Sequence, residues 1–176
     1  MTVGTLMTAD ELLRLPDDGW RHELVRGELR KMSPAGAGHG YIAAEIVASL
    51  APFVKQRRLG RVYAAETGFR ISRQPDTVRA PDAAFVRAER VVLTVKFFEG
   101  PPDTAFEVTS PGDTYSEIEE KTRDWLQAGV RAVVIVDPVT KTARVHRSTS
   151  AVTIAEAIEL DDIIPGWRLP LADLFD

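Results

Sequence analysis

The segment RAVVIVDP, residues 131–138, limits the possible folds more than any other. Its apolar residues run without alternation, as in a strand buried on both faces of a sheet. Immediately before it lies YSEIEEKTRDWLQAG, where Ile118, Thr122 and Trp125 recur at helical spacing and Gly129 offers a C-terminal stop. Before that helix, TAFEV at 104–108 is a second short apolar strand. Strand, amphipathic helix and fully apolar strand in succession call for a sheet flanked by helices.

The rest of the chain agrees with that frame. TADELLRL opens a short helix with Thr8 and Glu11 in capping-box spacing. HELVRGELRKM reads as a hairpin turning near Arg26-Gly27. SPAGAGHG is expected as a flexible loop ahead of a helix in which Ile42, Ile46, Leu50 and Val54 recur, with Pro52 kinking or ending it. Further strands are expected at 61–65, 68–72 and 82–86, and TARVHRS pairs back on RAVVIVDP across DPVTK. The proline-broken tail IIPGWRLPLADLF is expected to pack across the domain surface. The order implies an α/β or α+β fold in a single domain over 1–176, without the regular alternation of a Rossmann fold.

Composition narrows the chemistry. The chain has no cysteine, which excludes disulfides and thiolate metal sites and fits a reducing cytoplasm. No uninterrupted apolar run approaches the roughly 18 residues of a membrane span. The first residues, MTVGTLMTADELL, lack the basic start and apolar block of a signal peptide. A net charge of -4 means that any contact with nucleic acid needs a local basic surface or a metal ion that offsets carboxylates.

Three residues stand out against their surroundings. In TAFEV, period-two alternation sends Phe106 and Val108 to one face and Glu107 to the other. Asp82 follows Pro81 at the start of the strand DAAFV. If these strands are neighbours, the two acids meet, and an oxygen-rich pair suits a hard cation such as Mg²⁺. Lys121 lies on the same helical stripe as Ile118, Thr122 and Trp125, so it must reach out to water or find a carboxylate, Glu107 and Asp82 being candidates. Each also has a plain reading: Asp82 as a turn residue, Glu107 on a wet sheet face, Lys121 as a snorkelling lysine. Asp137, at a strand end before a proline, reads as structural, and Trp20, Trp125 and Trp167 read as packing anchors. GAGHG lacks the spacing of a nucleotide-binding loop, and no Ser/His/Asp order or histidine-rich spacing points to another hydrolase or a zinc site.

Taken together, APDAAFV, AFEVTSPGD and EEKTRDWLQAGVRAVVIVDP resemble the signature of the Uma2 family. HELVRGEL with MSPAGAGHG, AAETGFRIS and PGWRLPLADLF extend the likeness over nearly the whole chain. Uma2 proteins are similar to the PD-(D/E)xK restriction-endonuclease superfamily, which implies a mixed sheet flanked by helices. The resemblance implies Asp82 and Glu107 as the two acids, holding Mg²⁺ (or Mn²⁺ in its place) with the Val108 carbonyl. The superfamily pattern puts a lysine two residues after the second acid, where this chain has Thr109. The resemblance implies that Lys121 supplies that cation from the following helix. Glu23 and His39 match further polar positions, Glu23 as a site acid and His39 as a phosphate contact. The implied activity is Mg²⁺-dependent hydrolysis of nucleic acid, DNA first, by a cytoplasmic homodimer. Its rivals are a non-catalytic protein that keeps the nuclease fold for binding or assembly, and an enzyme acting on small phosphodiesters.

Overall fold

The structure is a computed structural model describing residues 6–175. Helix α1 (Ala9–Leu13) starts on Thr8, whose side chain and that of Glu11 form the expected capping box. It leads to the hairpin β1 (Arg21–Val25) and β2 (Glu28–Met32), which turns through Arg26 and Gly27, both at positive φ. The long helix α2 (Ala37–Arg57) follows, then β3 (Gly60–Ala64), β4 (Phe69–Ser72), β5 (Thr77–Arg79), β6 (Ala83–Arg87), β7 (Phe98–Glu99) and β8 (Thr104–Val108). The second half comprises α3 (Tyr115–Ala128), β9 (Ala132–Asp137), β10 (Thr142–His146), β11 (Ala151–Ile154), β12 (Ala157–Glu159), β13 (Arg168–Pro170) and α4 (Ala172–Phe175).

Among the described residues the main sheet runs β11-β10-β9-β8-β6-β3, and only its central β8–β9 pair is parallel. A smaller sheet runs β2-β1-β5-β4-β7, and β12 pairs with β13. Because β8 and β9 are covered on both sides, their alternating residues enter two different cores. Phe106, Val108, Val134 and Val136 pack with Ile42, Ile46, Leu50 and Val54 of α2. Ala105, Val133 and Ile135 face the other way, toward Trp125 of α3 and Phe69 and Phe98 of the smaller sheet. Glu107 shares that second face, so burial under α3 replaces the wet-face alternative.

Several expectations are corrected. Helix α2 begins at Ala37, so His39 lies in its first turn, not in a flexible loop ahead of it. Pro52 does not end α2, which continues to Arg57; it and Ala48, whose carbonyl loses its helical partner, are both on the exposed side where water can serve. At 21 residues α2 is long enough to cross a bilayer, yet its apolar stripe is spent on the main sheet. The tail is core, not cover: Ile164, Trp167, Leu169, Leu171 and Leu174 are buried with α2, and Trp167 meets Phe106 edge-to-face at 5.8 Å. Strands β5, β7, β12 and β13 are too short to show a period of two, which is why periodicity passes over them. Asp137 is structural as expected, its carboxylate accepting the Val139 and Thr140 N–H groups in the β9–β10 turn.

Helix α3 carries Lys121, so its ends matter to the site. Thr114 and Glu117 form a capping box, and Gly129 closes the helix at φ 102°. A Cβ at Gly129 would meet nothing within 4 Å, so the cost of adding one is the left-handed backbone alone. Gly129→Ala is therefore expected to lower unfolding free energy by about 1 kcal/mol with an unchanged m-value, read from urea denaturation.

Candidate active site

Strand pairing decides whether the acids meet, and it brings them to one cleft. Ala83 of β6 is opposite Phe106 of β8, and the Asp82 N–H donates to the Phe106 carbonyl at 3.0 Å. Asp82 thus sits one residue before the start of β6, held against β8. Its Oδ2 accepts the Val108 N–H at 2.8 Å, and its Oδ1 lies 2.9 Å from His39 Nε2. Burial opposes the charge on Asp82, but these hydrogen bonds and the nearby Lys121 outweigh it, holding the carboxyl below its usual range.

Glu107 projects from the α3 face of β8. Lys121 Nζ donates to its Oε2 at 2.9 Å, and the Trp125 indole N–H donates to its Oε1, also at 2.9 Å. Lys121 and Trp125 stand four residues apart, so one helical stripe supplies both donors. Lys121 also donates to the Ala80 carbonyl at 3.1 Å and lies 3.3 Å from Glu23 Oε1. Burial pushes the Glu107 carboxyl up to about 7; Lys121 pulls it down, while Asp82 and Glu23 add to the rise. Burial disfavours the Lys121 ammonium too, but Glu107, Glu23 and Asp82 together keep its pKa above the ordinary lysine value.

Glu23 is buried beneath this pair. Its Oε1 accepts the Ala80 N–H at 2.9 Å and its Oε2 accepts from Arg79 at 2.8 Å. Arg79, equally buried, spans from Glu23 to Asp124 of α3, which accepts from its Nε and Nη2 at 3.1 and 2.6 Å. Burial works against a charged Glu23, yet Lys121 and Arg79 hold its carboxyl below the usual range. Glu23 therefore anchors Lys121 from below as well as lying beside the acids.

His39 bridges the other side of the cleft. Its Nδ1 lies 3.0 Å from Ser110 Oγ while Nε2 faces Asp82. The bond to Asp82 raises the His39 pKa, against the opposing effect of burial. The result is a Ser110–His39–Asp82 chain that the sequence reading did not find. The Ser110 amide is taken by Asp113 at 2.7 Å, so it is not free to stabilise an oxyanion.

All five candidate side chains, Glu23, His39, Asp82, Glu107 and Lys121, line one open cleft of about 580 Å³ together with Val108. Arg79, Asp124 and Ser110 were missed. Ser110 sits in the SPGD turn and carries no sequence signal of its own. Arg79 lies three residues before Asp82 in TVRAPD, where an arginine inside an apolar stretch was the available clue. Trp125 was assigned only to packing, and its indole N–H adds a hydrogen bond to the acid.

Among the described residues, no group of three or more His, Asp or Glu side chains forms a ready-made metal cage. The residues nonetheless fit Mg²⁺, which commonly takes one or two carboxylates and retains several waters. Asp82, Glu107 and the Val108 carbonyl offer hard oxygen donors on one cleft.

Comparison with known proteins comes down on the same fold. The Uma2 family model, described as "Putative restriction endonuclease", matches residues 9–172. A solved structure described as a putative nuclease belonging to DUF820, from Anabaena variabilis, superposes with a TM-score of 0.84. It is 22% identical, and the match covers 96% of this chain and 97% of that one. No curated protein matches the chain. The expected mixed sheet flanked by helices, in the α+β arrangement of restriction-endonuclease-like nucleases, is borne out.

Proposed function

Because the chain belongs to the Uma2 family, we propose that it is a metal-dependent nuclease whose site is Asp82, Glu107 and Lys121. The observation that carries the proposal is their convergence, from three separate elements, on one open cleft. Asp82, Glu107 and the Val108 carbonyl would hold Mg²⁺, with Mn²⁺ able to substitute. When bound there, a divalent ion would supply Lewis-acid polarisation of a phosphodiester oxygen and a lowered pKa for water.

The side chains have separable tasks. Lys121, kept charged by Glu107 and Glu23, presents a fixed ammonium to negative charge that builds on the phosphoryl group. Glu23 and Arg79 position that lysine. Trp125 orients Glu107, and Asp82 keeps a full negative charge at neutral pH. His39, in the first turn of α2, stands where a helix N-terminus favours anions, and its Nδ1 would donate to a phosphate oxygen in place of Ser110. The proposed substrate is nucleic acid, DNA first, and the acting form a cytoplasmic homodimer.

The direct test is cleavage of labelled DNA and RNA in millimolar Mg²⁺, stopped by chelation. No metal-dependent cleavage of either would overturn the proposal in favour of a binding or assembly role.

A second measurement isolates the metal. Mg²⁺ is expected to raise the melting temperature of the wild type but not of Glu107→Gln. Below pH 7 the wild-type response should weaken, because Glu107 then holds a proton that the ion must displace. Apparent affinity should fall by about tenfold per pH unit on that side. The metal-free fold runs the other way, since its Glu107 pKa is raised from 4.5 to about 7. The stability contributed by that proton is full below the unfolded value and is lost as pH rises through about 7. A pH-independent metal shift would remove Glu107 from the ligand set.

A further inference from the structure

The three tryptophans do not share one environment. Trp125 and Trp167 are fully buried, whereas Trp20 is 47% exposed, so the expectation that Trp20 is a packing anchor is wrong. An exposed indole is a large aromatic surface open to a ligand. Trp20 is not simply loose: two short-range bonds shape its loop. Asp17 accepts the Gly19 N–H at 2.9 Å, and Asp18 accepts the Trp20 N–H at 3.1 Å. Lys31 Nζ bonds Asp18 at 2.7 Å and lies 6.0 Å from the centroid of the indole ring.

Beside Trp20 opens a hollow of about 320 Å³, lined also by Asp17, Arg21, His22, Met32, Glu66 and Ala80. It adjoins the candidate active site. Arg21 and Met32, paired across the β1–β2 hairpin, line both spaces. Ala80 lines the hollow, while its carbonyl accepts from Lys121 in the cleft. The hollow and the cleft thus share Arg21 and Met32 as lining.

We propose that this hollow is a nucleobase subsite, in which Trp20 stacks an unpaired base next to the phosphate held in the cleft. The inference rests on the nuclease reading and adds a substrate class: a single strand, or a duplex locally opened at the cut. The chemistry matches both ends of a nucleotide. Trp20 and Met32 give an aromatic and apolar surface for a base, and the carboxylates of Asp17 and Glu66 accept from its amino groups. Arg21, 3.8 Å from Glu66, and Lys31, bonded to Asp18, also line the cleft, and a phosphate next to the base would compete with those carboxylates for them. A continuous duplex keeps its bases stacked on each other and does not offer one to the indole.

The test compares wild type, Trp20→Ala and Trp20→Phe. Affinity is measured in chelator by fluorescence anisotropy for a labelled single strand of about 12 nucleotides and for the matching duplex. Trp20→Ala is expected to weaken single-strand binding by roughly 5- to 150-fold, with a smaller effect on duplex, and Trp20→Phe to retain most of the affinity. Intrinsic fluorescence should be quenched by the single strand in the wild type and much less in Trp20→Phe. Single-strand binding by Trp20→Ala equal to wild type, with metal-dependent cleavage intact, overturns the subsite and leaves the nuclease reading standing. A wild type that neither binds nor cleaves nucleic acid overturns both. Because the indole is half in solvent, melting temperatures of the variants should match the wild type, and a large drop would overturn the subsite by showing Trp20 to be a packing residue.

Discussion

Asp82→Asn is expected to reduce metal-dependent cleavage by about a thousandfold, equivalent to roughly 4 kcal/mol of transition-state stabilisation. The substitution is chosen because it changes charge and almost nothing else. An asparagine oxygen can still accept the Val108 N–H, so the junction of β6 and β8 keeps its hydrogen bond. The amide can also face the His39 ring, so the first turn of α2 keeps a partner. What disappears is a carboxylate that is charged throughout the neutral range, in a cleft where the other acid, Glu107, is only partly ionised at about pH 7. Rates are compared under single-turnover conditions at saturating Mg²⁺, with melting temperature as the control for folding. A variant that cleaves within tenfold of the wild type, with its fold intact, would remove Asp82 from the reaction.

Arg79→Met is expected to cost about 3–5 kcal/mol of unfolding free energy near pH 7.5, the largest single stability effect in the site. Arg79 is buried, and methionine fills much of its stem, so the loss is that of the guanidinium. Glu23, itself 2% exposed, would keep Lys121 and the Ala80 N–H but lose the partner on its other oxygen. Asp124 would lose both of its bonds from Arg79. The pH dependence has a definite sign. In the wild type the Glu23 pKa is lowered, a contribution present above the unfolded value and lost as pH falls through the folded one. Without Arg79 the Glu23 pKa rises, and a raised carboxyl favours folding at low pH. The deficit of the variant should therefore shrink between pH 7.5 and about 5.5, measured by urea denaturation. A deficit that stays constant or grows over that interval would show that Glu23 is not the group left unpaired.

The two substitutions separate chemistry from support. Asp82 faces the open cleft and is expected to change rate with little effect on folding. Arg79 is expected to act first on stability, and on rate only through Glu23 and Lys121. Its partner Asp124 belongs to the same helix as Lys121, so the ion pair from β5 fixes α3 at the height of the site. Arg26 and Arg30 of the β1–β2 hairpin reach Glu120 on that helix as well, tying the smaller sheet to α3. The local basic surface that an acidic protein needs for nucleic acid is thus partly engaged in holding the site together.

The sequence by itself determined the elements with strong local signals. The apolar run AVVIV, the capped helix from Tyr115 and the Arg26-Gly27 hairpin all fold as their patterns require, because period, cap and turn are set by neighbours in the chain. Alternation also placed Glu107 opposite Phe106, and helical spacing placed Lys121 on the inward stripe. Only the tertiary structure decided what those side chains meet. Strand β5 carries Arg79 beneath the site, though three residues are too few to display a period. The pairing of Ser110 with His39 spans 71 residues, and that of Arg79 with Glu23 spans 56. No local rule encodes such contacts, since they form when packing the two cores fixes the sheets against each other. The same holds for Trp20 and Trp167: one residue type, left in water in one case and buried in the other by what the fold places beside it.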